Sequence, residues 1–571
     1  MCALIPEQSL QQHQDDTSFT VTVPSALEIP YDHPFRISNP IISHTDMQQH
    51  QPKVICIVLE SAEPALIDKW CQQGKLPVMQ QLRQDGIWTR LKSPSYISSG
   101  CAWPTLNIGT TPAKHGIGFF HREIKNGTYR IIKKYADQVR GEPFWKHLGE
   151  AGFRSAIFDL AATLPSPDTN GVIVVDWGSE HPAWKTSSYP EPLIKDIHRE
   201  IGRHPLDGWY QQHLDSKEQC KDIADKLIAG IDLRTRVLQY LFERDEFDFM
   251  FCNYSEPHWA GHIFWHLHDK DHPEYDSEQA AYCGDVIFNS YQACDRAIGE
   301  LVRELPDTNI MIMSNIGIGS HAGGDMMVPE ILHRLGMDGE QKTPGPLKRF
   351  LPGASGSATA VQHAERLISP ALISRIKQFI PERLWDTWTR RLLGLGNNWA
   401  SSRAFHLPGD NSSLIRINLQ GREPKGRVQP GDEYRQLCAE LAASFRELVN
   451  PATGEAAVER VVILREHLQG EHIDQLPDLA VVWKNFGVPI EALESPRIGR
   501  VEIPEFNKRS GGHWHEGFLI GTGPAFRKGL SLQPSDLTDV APTILALFGL
   551  SAPGYMDGKA LAEAMTEQPA A

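Results

Sequence analysis

The stretch Ser93–Gly116, S-P-S-Y-I-S-S-G-C-A-W-P-T-L-N-I-G-T-T-P-A-K-H-G, decides how this chain is read. It places a hydroxyl, Ser99, just ahead of a compact Trp103/Pro104 turn, and a short run then leads to G-T-T-P-A-K-H-G. Upstream lies a buried-strand signal, V-I-C-I-V-L (Val54 to Leu59), that ends in an acid, Glu60. An acid at the tip of a parallel strand, followed by a helix that opens with a nucleophile, is how several metal-dependent phosphoryl-transfer sites are built.

The bulk numbers narrow the setting. A chain of 571 residues buries a large core and has room for an inserted region. Composition is that of a soluble globular protein, with 41% hydrophobic and 22% charged residues and a mean hydropathy of -0.34. A net charge of -15 argues against nucleic acid or an anionic membrane surface as partner. It leaves room for a small anionic substrate held by a metal or a local Arg/Lys cluster, and a homo-oligomer is compatible with it. No segment reaches the roughly 18 to 20 apolar residues of a membrane span. Residues 1–50 are rich in Gln, His and Pro, lack a basic and apolar leader pattern, and read as an extended arm. Nine scattered cysteines without C-x-x-C pairs suggest reduced thiols and a cytoplasmic protein.

Strand and helix signals alternate. Helices are expected near Ala65–Cys71 and Val78–Asp85, over Cys220–Phe242, and over Glu278–Leu305. Phe144–Asp159 reads as helix, glycine stop, strand. Gly171–Trp177, Asp248–Tyr254 and Asn309–Asn315 read as buried strands with polar residues at their ends. The expectation is an α/β fold with a mostly parallel central sheet covered by helices on both faces. Sites in such sheets lie beyond the carboxyl ends of the strands, where Glu60, Glu256 and Asn315 fall. The pattern breaks over 338–403, which reads as a cap or insertion between a first core part, 51–337, and a second, 404–565. The last helix, in D-V-A-P-T-I-L-A-L-F-G, starts with Asp539 as its N-cap and is followed by Gly549.

Ordered landmarks then point to a family. They are V-I-C-I-V-L-E, K-L-P-V-M-Q-Q-L, A-W-P-T…G-T-T-P-A-K-H-G-I, H-W-A-G-H-I-F-W-H, G-G-H-W-H-E-G-F-L-I-G-T-G-P and D-V-A-P-T-I-L-A-L-F-G-L. Together they resemble the alkaline phosphatase superfamily, in its type I phosphodiesterase/nucleotide pyrophosphatase branch. The resemblance implies two metals, usually zinc, that clamp the attacking and leaving oxygens. One is held by the first-strand Asp, the nucleophilic Thr or Ser and an Asp-His pair. The other is held by a carboxylate, a His shortly after it and a late His.

Carried over position by position, the second set survives better. Glu256, His258, His262 and His513 offer donors for one zinc, or for manganese or iron, with His258 standing where the family has its carboxylate. His266, His268 and His515 are nearby in sequence and read as supporting residues. The first set is eroded: Glu60 replaces Asp, and S-N-I-G puts Asn315 and Ile316 where the family has Asp and His. A neutral amide is a poor zinc ligand and isoleucine offers none. Ser99 aligns with the nucleophile, and Glu60 is the candidate base. Cys101 reads as packing, since C-A-W-P-T lacks the C-x-P-x-R pattern of sulfatases.

Arg416 and Arg422, in R-I-N-L-Q-G-R-E-P-K-G, suit an anionic substrate or a surface ion-pair network. D-W-G-S-E-H (Asp176 to His181) is a weaker candidate of the same kind. Three functions compete. The first is an atypical, single-metal hydrolase of phosphate esters or diesters. The second is an enzyme repurposed for group transfer or rearrangement. The third is a non-catalytic relative that keeps only the fold.

Overall fold

The computed structural model describes residues 53–118, 122–125, 127–133, 136–178, 186–207, 216–303, 305, 307–338, 399–503 and 510–566. The arm expected over 1–50 lies outside them, as does the expected cap over 338–403 except for 338 and 399–403.

Among the described residues the central sheet has ten strands. Its main members are β1 (Val54–Leu59), β2 (Ile87–Lys92), β3 (Ser155–Phe158), β4 (Gly171–Val175), β5 (Ser187–Tyr189), β6 (Phe249–Tyr254), β7 (Asn309–Ser314) and β8 (Glu516–Thr522). Their spatial order is β2-β8-β7-β1-β6-β3-β4-β5, with the short strands Leu530–Ser531 and Ser535–Asp536 on β2. The block β7-β1-β6-β3-β4 is parallel. The sheet as a whole is mixed, because β8 is antiparallel to both neighbours and β5 to β4. The reason is connectivity: β8 follows the strand Gly511–Trp514 after one residue, so it enters from the carboxyl edge with no crossover helix to reverse it.

Side chains of β1 alternate between two apolar clusters, as a strand buried on both faces requires. Ile55, Ile57 and Leu59 pack on one face with Met250, Tyr254 and Ile312. Val54, Cys56 and Val58 pack on the other with Phe251, Met313 and Trp103. Three helices matter for the site: α1 (Ala102–Ile108), α2 (Lys217–Arg244), which precedes β6, and α3 (Glu256–His268), which follows it. The single helix expected over Glu278–Leu305 is two, Ser277–Cys283 and Val286–Val302. Gly284, at φ +74°, ends the first, and Asp285 caps the second. The last helix, Val540–Leu547, is followed by Gly549 at φ +74°.

Residues 404–502 build separate antiparallel sheets. One has strands in the order Ala404–Pro408, Ser412–Ile417, Leu479–Trp483, Val458–Ile463. The eight described cysteines are buried and unbonded. No helix among the described residues is long and apolar enough to cross a membrane.

Candidate metal centre

The site is assembled from β6, α3 and the strand Gly511–Trp514. The chain leaves β6 at Tyr254, passes Ser255 and enters α3, with Pro257 in its first turn, where a missing N–H costs nothing. Residues four apart share a helix face, so His258 and His262 project together. Glu256 is two residues from His258, about 200° around the helix, and so belongs to the opposite side.

The third imidazole comes from Gly511–Trp514, which pairs with Gly317–Ser320 and sets His513 opposite Ile318. That strand lies so close to α3 that a Cβ on Gly511 would stand 2.1 Å from the Gly261 carbonyl oxygen. Only glycine permits the approach. The ligand atoms of His258, His262 and His513 lie within 4.8 Å of one another, and all three residues are buried. Their ring centroids are 4.6, 4.9 and 4.5 Å apart. His262 Nδ1 is 2.8 Å from the Gly511 carbonyl oxygen, which can only accept, so Nδ1 carries the proton and Nε2 presents its lone pair. His513 Nδ1 meets Ser61 Oγ at 3.4 Å. Ser61 is buried in the left-handed region, at φ +55°, a strained conformation that only packed surroundings sustain. Three imidazole nitrogens so placed suit a divalent metal such as zinc.

Beside this cluster, Glu60 closes β1. Its Oε1 accepts from Trp103 Nε1 at 2.7 Å and its Oε2 from Asn253 Nδ2 at 2.9 Å. His258 Nδ1 is 3.8 Å from Glu60 Oε1. Val58 is level with Asn253 on one neighbouring strand and with Met313 on the other, so Glu60 stands between the ends of β6 and β7. Asn315, just past β7, is 1% exposed, and neither polar atom of its amide has a hydrogen-bond partner. Ile316 packs in the apolar cluster with Val58 and Trp103. The pair does not fit a second zinc.

Ser99 opens a 3-10 turn whose start is capped by Ser98 Oγ, which accepts from Gly100 N–H at 3.2 Å. The Ser99 N–H donates to Asp410 Oδ2 at 3.1 Å, and the residue is half-buried. Asp410 lies in the turn between Ala404–Pro408 and Ser412–Ile417, so the second part of the chain reaches the loop that carries Ser99.

The other candidates are engaged elsewhere. Glu256 Oε1 accepts from Arg234 Nε at 3.1 Å and His204 Nε2 at 3.0 Å. Burial alone would raise its pKa; Arg234 foremost and His204 overcome this and hold the carboxyl below its ordinary value. The structure does not bring it to the imidazoles. Arg416 and Arg422 are buried in the antiparallel sheet region. Arg416 donates to Glu423 and to the Leu476 and Asp474 carbonyls. Arg422 forks onto Asp478 at 2.8 and 2.6 Å. Such internally satisfied networks hold structure together. His515 is paired with Ser95 Oγ and the Asn411 carbonyl, and burial, aided by Arg460, pushes its pKa down to about 4. His268 pairs with Asp285. Cys101 packs in the core, with its thiol on the Ile117 carbonyl. Of Asp176–His181, the residues 179–181 lie outside the described ones.

Asn253, Trp103, Ser61 and Asp410 were not foreseen. Asn253 had a signal, a lone amide inside the apolar run F-M-F-C-N-Y. The P-G-D-N run around Asp410 is readable as a turn, but its aim at Ser99 is not.

A parallel strand block with an acid and three converging imidazoles at its carboxyl edge defines an α/β protein with a centre competent to hold a metal. The sequence pattern of the type I phosphodiesterase/nucleotide pyrophosphatase family matches residues 54–497. The chain belongs to that family, within the alkaline phosphatase superfamily. A search of curated proteins found no match. Among solved structures, it is similar to murine ectonucleotide pyrophosphatase/phosphodiesterase 5, an inactive form in complex with AMP. That likeness has 12% identity over 90% of this chain and 100% of that one, at a TM-score of 0.44. It is also similar to phosphonoacetate hydrolase from Sinorhizobium meliloti 1021 in complex with phosphonoformate, at 12% identity over 87% and 96% and a TM-score of 0.46. At such scores neither likeness bears on substrate or mechanism.

Proposed function

We propose that the protein hydrolyses phosphate esters or diesters of small anionic molecules in the cytoplasm, at a centre with a single divalent metal held by His258, His262 and His513. The observation that carries this reading is the convergence of the three ligand atoms within 4.8 Å, with His262 fixed by Gly511 in the tautomer a metal requires. Zinc is the first choice for three imidazole nitrogens, with manganese or iron next. Such an ion supplies Lewis acidity to a phosphoryl oxygen when bound.

The chain's own groups do the rest. Ser99 Oγ attacks phosphorus as its proton passes to a base, with Glu60 in that role. A P–O bond forms to Ser99 as the ester P–O bond breaks, and Glu60 passes the proton to the leaving oxygen, which departs as the alcohol. Glu60 then takes a proton from water as the water oxygen bonds to phosphorus, and returns it to Ser99 as the P–O bond to Ser99 breaks. Trp103 and Asn253 hold the Glu60 carboxylate by both oxygens, which fixes its orientation. The loss of Asp and His at Asn315 and Ile316 favours a second reading, transfer of the group to an acceptor other than water. Hydrolysis of bis(4-nitrophenyl) phosphate by zinc-loaded protein decides. Turnover that chelation abolishes supports the reading, and a zinc-loaded protein with no hydrolysis of this or other simple esters defeats it.

A further inference from the structure

We infer that the buried Arg234–Glu256 pair is a positioning device for the metal centre, setting the rotation of α3 that brings His258 and His262 opposite His513. This rests on the metal-binding reading above. Arg234, from the middle of α2, donates to three side chains and is fully buried. Its Nε donates to Glu256 Oε1 at 3.1 Å, Nη1 to Asp159 Oδ2 at 2.5 Å and Nη2 to Ser255 Oγ at 3.1 Å. Asp159, just past β3, in turn accepts from the N–H groups of Trp177 and Gly178, at 2.8 and 3.1 Å. His204 Nδ1 accepts from Leu206 N–H, so its Nε2 is the donor to Glu256 Oε1. One guanidinium therefore ties the ends of β3 and β4 to the first turn of α3.

The surroundings are cleared for this contact. A Cβ on Gly178 would stand 2.5 Å from Arg234 Nη2, and one on Gly230 would stand 2.4 Å from His204 Nε2. Burying two carboxylates and a guanidinium gains little stability over apolar packing of the same volume. What the network supplies is direction. Glu256 and the two imidazoles lie on opposite sides of one helix, so a fixed Glu256 fixes the rotation at which His258 and His262 meet His513.

The test reads zinc affinity of the full chain by chelator competition, with the visible spectrum of the cobalt(II)-loaded protein as a monitor of ligand geometry. Glu256→Met removes the anchor and leaves Arg234 balanced by Asp159. It should bind zinc 10- to 100-fold more weakly and change the cobalt spectrum. Glu256→Gln keeps the acceptor oxygen and should restore most of the affinity. A folded Glu256→Met with wild-type zinc affinity and cobalt spectrum overturns the inference. Should Glu256→Met not fold, the charge-balanced Asp159→Asn/Arg234→Met variant decides by the same criterion, and failure of both to fold would assign the network to folding and overturn the positioning role. A wild-type protein that binds no zinc overturns the metal reading itself.

Discussion

His262 Nε2 and His513 Nε2 face each other at 3.1 Å. The first can only accept, because the proton of the same ring sits on Nδ1, where it is donated to the Gly511 carbonyl. Two imidazole nitrogens held this close need a proton or a cation between them, since facing lone pairs repel. His258 closes the third side, with its ring centroid 4.9 Å from that of His513. The elements that impose this geometry are a glycine-permitted strand contact at Gly511 and the four-residue spacing within α3.

Ser99→Ala tests the covalent route. If Ser99 is the nucleophile, the variant keeps its fold and zinc while turnover of bis(4-nitrophenyl) phosphate falls at least 100-fold. Retained turnover excludes attack by Ser99 and assigns the attack on phosphorus to water at the same metal.

Asn315→Asp/Ile316→His restores the pair missing beside Glu60. The double variant should take up a second metal and gain diesterase activity, more so when Glu60→Asp shortens the neighbouring acid. A triple variant with two metals and no gain in hydrolysis would show that the pocket, and not the missing ligands, sets the chemistry.

Arg422→Ala separates structure from substrate binding. Asp478 would lose its bidentate partner in a buried setting, and such breakage costs about 3–5 kcal/mol. Thermal or denaturant unfolding should show that loss while zinc content stays unchanged. An Arg422→Ala protein of wild-type stability and raised KM would return this residue to the substrate site.

His266 gives an acid dependence of stability. Burial, and then the neighbouring His272, lower its pKa from 6.5 to about 4. The unfolded chain therefore binds a proton between those pH values that the native state does not, so stability is full above pH 6.5 and declines as pH falls toward 4. The shift sets an upper bound of about 3 kcal/mol, reduced by the ring's partial exposure. Chemical unfolding of zinc-free protein across that range should show a shallower acid loss in His266→Gln. Equal slopes in both proteins would remove His266 as the cause.

The sequence carried the outline of this site further than its details. Val54–Leu59 is apolar on both faces and ends in an acid, which is enough to place a strand tip at the site. His258, His262 and His513 stand at positions that match the family pattern, and the fold brings their ligand atoms together. Glu256 lies apart from the imidazoles, on His204 and Arg234, as the helix period alone separates it from His258. Arg416 sits in Ser412–Ile417, a strand buried along its whole length, where alternation says nothing about which side chains meet solvent. Its partners Glu423, Asp474 and Leu476 come from turns whose folding no local pattern announces. The mixed sheet was hidden for a similar reason: the direction of β8 is set by the single-residue link after Trp514, and its composition fits either direction.

The central claim is that three imidazoles hold one metal. Metal content of protein purified without chelator, compared between wild type and His513→Ala, tests it most directly. The account predicts one equivalent per wild-type chain and loss of most of it in the variant. Two equivalents or none in the wild type, or full occupancy in His513→Ala, would contradict it.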